Sequence, residues 1–133
     1  MNRILDACAL IAYLKAEQGG QVVDAYLRDP GTHCYAHVVN LCEVYYAMIR
    51  SDGLAVARAA IHDLKTDGVS FRRDMGRAFW LDVGELKAKG NISIADCFCL
   101  ALARKLSGAV VTSDHHEFDP LVPLGICAIE FIR

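Results

Sequence analysis

Carboxylates are the side chains in this sequence that could do chemistry, and four of them sit where one edge of a sheet could gather them. Asp6 closes the apolar run Arg3-Ile4-Leu5, and Asp114 follows Val110-Val111-Thr112-Ser113. Asp96 belongs to Ser93-Ile94-Ala95-Asp96, a capping-box-like pattern with Ser93 as N-cap and the acid in the first turn. Glu43 stands in Val38–Arg50, where nearly everything else is apolar. Capping alone would account for Asp6, Asp96 and Asp114, because Asp accepts backbone N–H bonds at helix starts and turns. Capping does not exclude metal binding: a helix N-terminus favours the ionised carboxylate that a cation needs.

Four carboxylates at one edge repel one another and push their pKa values up unless a cation compensates. An oxygen-only donor set suits Mg²⁺ or Mn²⁺, which keep several waters and bridge to phosphate oxygens. That favours phosphodiester chemistry over redox or acyl transfer, since such a cation lowers the pKa of a water and stabilises charge on the leaving oxygen. Further groups could support it. Thr112 and Ser113 bring hydroxyls, Glu117 brings another acid, and Asn40 shares a narrow polar stripe with Glu43, Ala47 and Arg50 opposite Leu41, Val44, Tyr45 and Met48. Arg50 could bind phosphate or fix Glu43 by a charge-assisted bond. His115 and His116 could contact phosphate or move a proton, although histidines in polar loops are more often simply exposed. Arg72, Arg73 and Arg77 make the densest basic patch, and Trp80 with Phe79 and Leu81 reads as core or dimer surface.

The elements that must position these groups follow from periodicity and from Gly and Pro punctuation. A short strand at Arg3-Ile4-Leu5 leads through Asp6 into a helix that Gly19-Gly20 ends or interrupts. Residues 21–29 continue as a helix, Asp29-Pro30-Gly31 is a turn, and Cys34-Tyr35-Ala36 is a strand. Helices are expected at Val38 to Arg50, 53–66, 74–88 and Ser93 to Leu106, with strands at Val69-Ser70-Phe71, Ala109 to Thr112 and Ile126 to Phe131 and a loop from Ser113 to Pro123. Short β-branched strands alternating with helices imply an α/β fold with a mostly parallel sheet, because parallel neighbours need crossover helices. Ligands of open α/β sheets bind beyond the carboxyl ends of the strands, where the four acids fall.

The 133 residues make one domain, 1–133. Hydrophobic residues are 54% and charged ones 23%, which suits a buried core and not a disordered tail. With 14 Lys and Arg against 16 Asp and Glu, the net charge of −2 excludes coating of nucleic acid by bulk positive charge, so any contact must be local. Neither a membrane span nor a secretory leader is supported, and the chain reads as cytoplasmic. Its six cysteines lack zinc spacing and read as reduced, mostly buried small side chains, with Cys97 and Cys99 on different faces of their helix.

With these residues in view, the chain resembles the PIN-domain nucleases, particularly the small VapC-type toxins of toxin–antitoxin pairs. Four stretches in order carry the likeness: Leu5 to Leu14, Val39 to Val44, Ser93 to Asp96, and Val111 to Phe118. The resemblance implies a PIN-like three-layer α/β/α fold with about five short strands. It implies a metal-dependent endoribonuclease in which Asp6, Glu43, Asp96 and Asp114 hold Mg²⁺ or Mn²⁺ and are catalytic. Asn40, Thr112, Ser113, Glu117 and Arg50 are candidate supporting residues. It also implies RNA as substrate, a homodimer and a cognate antitoxin protein that blocks the groove. One departure is Ala7-Cys8, where the family often has Ser or Thr after the first Asp. The competing readings are a PIN-fold RNA-processing nuclease without an antitoxin, a non-catalytic binding module, and a phosphoacceptor domain. The last lacks its acid pair at the first strand and its late Lys.

Overall fold

Successive residues of a strand face opposite sides of a sheet, and this chain uses that alternation to build two cores. In the computed structural model, which describes residues 1–133, Ile4 and Val110 enter one core while Leu5 and Val111 enter the other. The elements run β1 (Asn2–Leu5), α1 (Ala7–Leu14), α2 (Gly20–Arg28), β2 (His33–His37), α3 (Val38–Asp52), α4 (Leu54–Thr66), β3 (Ser70–Arg72), α5 (Arg77–Ala88), α6 (Ile94–Lys105), β4 (Ala109–Thr112), α7 (His115–Phe118), a 3-10 helix (Asp119–Leu124) and β5 (Ala128–Phe131). The strand order is β3-β2-β1-β4-β5 and every pairing is parallel. Helices α1 to α4 contribute to the core on the Leu5 face, while α5, α6 and α7 contribute to the core on the Ile4 face. The result is an α/β fold with the sheet between helical layers.

The order places β1 and β4 side by side with connections leaving in opposite directions, so the crevice beyond their carboxyl ends is the switch point of the sheet. Asp6 and Asp114 follow those two strands. Helix α6 contacts β1, β2 and β4 as well as α3 and α5, and is buried all round from Cys97 to Ala103. Leu102 in its middle is fully buried. Leu102→Ala is expected to destabilise the domain by about 2–5 kcal/mol through lost transfer energy and a residual cavity. Urea unfolding would show this as a lower midpoint, and an unchanged midpoint would mean that α6 does not seal the second core.

Several boundaries differ from those expected. The helix predicted over 74–88 begins at Arg77, because Asp74 is held outside it by Arg72 Nε at 2.8 Å and Lys105 Nζ at 2.5 Å. These two cations hold the Asp74 carboxyl well below the usual carboxylate range, with the Arg72 hydrogen bond the larger cause. The predicted loop from Ser113 contains α7 and the 3-10 helix, and the last strand begins at Ala128. Cys97 and Cys99 are both buried because α6 is covered on all sides, whereas Cys42 is exposed; all six cysteines are free. The first helix, expected to run to Gly19-Gly20, ends at Leu14, and the two glycines instead open α2 for a steric reason. Gly19 has φ +95°, and a Cβ on Gly20 would lie 2.4 Å from the Ala12 carbonyl oxygen.

Candidate active site

Asp6 is the most confined of the acids, 2% exposed. Its amide donates to the Val111 carbonyl at 3.2 Å, which continues the β1–β4 pairing one residue past the strand and brings Asp6 beside Thr112. The Asp6 side chain caps α1, Oδ1 accepting from Ala9 N at 2.8 Å, while Oδ2 accepts from Thr112 Oγ1 at 2.5 Å. Thr112 Oγ1 in turn accepts from Asp114 N at 3.0 Å. Asp114 caps α7, its Oδ1 accepting from Glu117 N at 3.0 Å. Glu117 Oε1 accepts from Ser93 N at 2.5 Å, and Ser93 caps α6 by accepting from Asp96 N at 3.2 Å while donating to Asp96 Oδ2 at 2.8 Å. One hydrogen-bonded chain therefore runs from Asp6 through Thr112, Asp114, Glu117 and Ser93 to Asp96.

Capping and clustering coexist here, and the electrostatics show the strain of it. Burial pushes the Asp6 carboxyl up to about 7, opposed by the Thr112 and Ala9 bonds and reinforced by Asp114 and Glu43. Burial also lifts Asp96 to about 7, with Asp6, Glu117 and Glu43 adding repulsion against the Ser93 bond. Glu43 is raised by burial first and then by Asp114 and Glu117. The Cys8 thiol stands among the same acids and is pushed up to about 12, first by burial and then by Asp6, Asp114, Asp96 and Glu43. Eight ion pairs form in the molecule, and none includes Asp6, Glu43, Asp96, Asp114 or Glu117. Five acids thus share one edge with no protein cation to offset them.

The acids do not close into a ready-made cage. No three His, Cys, Asp or Glu side chains are grouped so as to hold a metal ion, and both Asp6 oxygens accept hydrogen bonds. The donor set still fits a hard divalent cation. Mg²⁺ keeps several waters and needs only one or two direct carboxylates, and the uncompensated charge is of the sign and density that such an ion neutralises.

The remaining expected groups are distributed differently. Asn40 is fully buried and not on a solvated stripe; its Nδ2 donates to the Ala95 carbonyl at 3.3 Å, tying α3 to the first turn of α6, and its Oδ1 has no partner. Ser113 is half-buried. Arg50 is exposed and lies over the Tyr46 ring at 5.0 Å, with no ion pair to Glu43. His115 is engaged at the C-terminal end of the chain: it stacks on Phe131 at 4.1 Å and bonds Asp119 Oδ1 and the Arg133 carbonyl. The basic patch is dispersed, since Arg72 is bound to Asp74 and Arg77 lies over Trp80. Trp80 is 45% exposed and outside the core, while Phe79 is buried.

His37 was not expected to matter. It is buried between Phe79 and Phe98, its Nδ1 accepts from Val39 N as the N-cap of α3, and its Nε2 meets the Asp74 carbonyl at 2.8 Å. The position directly before Val38 was the available signal, that of a cap before an apolar helix.

Thr112 is the side chain on which Asp6 and Asp114 both depend. Thr112→Val keeps the shape but leaves Asp6 Oδ2 and Asp114 N without their partner, and is expected to destabilise the domain by about 1–3 kcal/mol. Chemical denaturation of the two proteins tests this, and equal stability would mean that water replaces the hydroxyl at no loss.

A wholly parallel, doubly wound α/β domain with acids gathered at its switch-point crevice defines the class of fold to which the chain belongs. The chain matches the PIN domain across residues 3–120 and belongs to the PIN-domain family. No curated protein matches it. Among solved structures, VapBC-1 of nontypeable Haemophilus influenzae is similar at TM-score 0.72 and 17% identity, covering 99% of this chain and 98% of that one. VapBC2 of Rickettsia felis, bound to a DNA fragment from its promoter, gives TM-score 0.75 and 14% identity over 98% of each chain. Mycobacterium tuberculosis VapC20, described as a sarcin-ricin loop cleaving toxin, gives 0.71 and 15%, covering 89% of this chain and 94% of that one. At these identities the likeness is one of fold.

Proposed function

We propose that this protein is a divalent-metal-dependent endoribonuclease, the toxin of a toxin–antitoxin pair. The observation that carries the reading is the set of five acids at the β1–β4 crevice without any cationic partner. Asp6, Glu43, Asp96 and Asp114 would hold Mg²⁺ or Mn²⁺. When bound, the ion supplies an acidified water and charge neutralisation at the phosphate. The chain's own residues would orient that chemistry: Thr112 ties the Asp6 carboxylate to the backbone of Asp114, Ser93 holds Asp96, and Asn40 ties α3, which carries Glu43, to the first turn of α6.

The antitoxin is proposed because the structural relatives include VapBC complexes. Homodimerisation and cytoplasmic action are parts of the same proposal; no helix is long and apolar enough to cross a membrane. Incubation of purified protein with structured and single-stranded RNA, in Mn²⁺ or in EDTA, tests the activity. Cleavage is expected in Mn²⁺ alone, and cleavage that persists in EDTA would sink the reading.

A further inference from the structure

Ser93 and Asp96 have the spacing of a capping box but complete only half of one. In the full motif the N-cap side chain bonds the amide three residues on, and the acid there reaches back to the N-cap's own amide. Here Ser93 Oγ does accept from Asp96 N. The return bond is missing, because Ser93 N donates to Glu117 Oε1 across 24 residues of sequence. Asp96 is left with Oδ2 on the Ser93 hydroxyl and with Oδ1 free of any hydrogen bond.

Resting on the nuclease reading above, we propose that Glu117 is a positioning residue for the site and not a metal ligand: it takes the amide that Asp96 would otherwise bind, so that Asp96 keeps an oxygen for the crevice. The same side chain couples two acids. Glu117 offers its own amide to Asp114 and its carboxylate to the amide that opens α6, so the spacing of Asp114 from Asp96 is set through Glu117. Without it, the side-chain acceptor that the motif places nearest the exposed Ser93 amide is Asp96 itself, and the box would close. Asp96 would then turn from the crevice toward its own helix start, and the dipole of α6 would hold it there. Glu117 therefore acts on the metal through Asp96, at one remove.

Two variants separate the possible roles, because both remove the Glu117 charge and only one keeps an acceptor for Ser93. Mn²⁺ affinity is measured by calorimetry on the parent, Glu117→Gln and Glu117→Ala, with hydrogen exchange of the Ser93 amide followed by NMR in the metal-free proteins. Glu117→Gln is expected to weaken Mn²⁺ by no more than the roughly fivefold that one screened charge is worth, with Ser93 still protected. Glu117→Ala is expected to weaken it by about 10–100-fold, the range for groups that orient metal ligands. Equal and large losses in both variants would make Glu117 a ligand and overturn the proposal. An Ala variant that binds like the Gln variant would reduce the Ser93 bond to a purely structural one and overturn it as well. A parent that binds no Mn²⁺ at all would instead overturn the metal reading on which the proposal rests.

Discussion

Asp96→Asn is expected to lower Mn²⁺-dependent RNA cleavage by more than the ~100-fold that loss of a group merely orienting a metal ligand costs, with the fold intact. Asn is chosen because its Oδ1 can still accept from Ser93 Oγ, which separates the charge from the cap. Asp6→Asn should behave alike, its amide oxygen still available to Ala9 N. A second readout does not depend on RNA. A ligand that binds only the native state at ~100 times its Kd adds about 2.7 kcal/mol of stability, so Mn²⁺ should raise the melting temperature of the parent and do so far less in either variant. Equal cleavage, or an equal Mn²⁺ shift in parent and variants, would remove these two acids from the site.

The metal-free protein should lose stability as the pH rises from about 4 to about 7. Asp6 and Asp96 are both lifted to about 7 by burial, from an ordinary carboxylate value of 3.8. Between those values the folded chain holds protons that the unfolded chain has released, so the stabilisation is fully present below the unfolded value and is lost as pH climbs through the folded one. The slope is at most ~1.4 kcal/mol per pH unit for each proton retained. His37 works with the opposite sign. Burial lowers its pKa, so its neutral, hydrogen-bonded form adds stability above about 6.5 that fades as pH falls, against the attraction of the Asp74 carbonyl and carboxylate and with the repulsion of Arg72. Urea unfolding in EDTA at several pH values, for the parent and for Asp6→Asn, cancels the His37 contribution in the difference. The parent should fall relative to the variant across this window, and Mn²⁺ should flatten the fall. Parallel curves would mean that Asp6 is solvated enough to ionise freely.

What the sequence made legible was the local chemistry. Asp6 and Ser93 each open a helix, and N-cap bonding reaches only two or three residues along the chain, so a capping residue before an apolar run was sufficient there, whereas Asp114 caps α7 within a segment expected to be a loop. The two cores were foreshadowed by the neighbouring apolar pairs Ile4-Leu5 and Val110-Val111. Asn40 shows where periodicity stops informing. A helical wheel separates polar from apolar faces but does not say what covers them, and the stripe holding Asn40 is sealed at that point by α6. Thr112 as a shared partner of Asp6 and Asp114, and Glu117 as the acceptor for Ser93, both require knowing which strands and helices adjoin. Asp74 shortened α5 for the same reason, since Lys105 reaches it from 31 residues away.

The strand order also sets a timetable. Parallel pairing of β1 with β4 makes Asp6 and Thr112 hydrogen-bonded neighbours although 106 residues separate them. Contacts of such separation must overcome the largest loop-closure entropy and form late. During synthesis Asp6, Glu43 and Asp96 are all made before Thr112 and Asp114, and β1 has no neighbour on that side until β4 emerges. The crevice is thus assembled only once β4 and α7 have joined the sheet. A molecule interrupted before β4 carries Asp6, Glu43 and Asp96 with their local caps but without the Thr112 and Asp114 link that joins them.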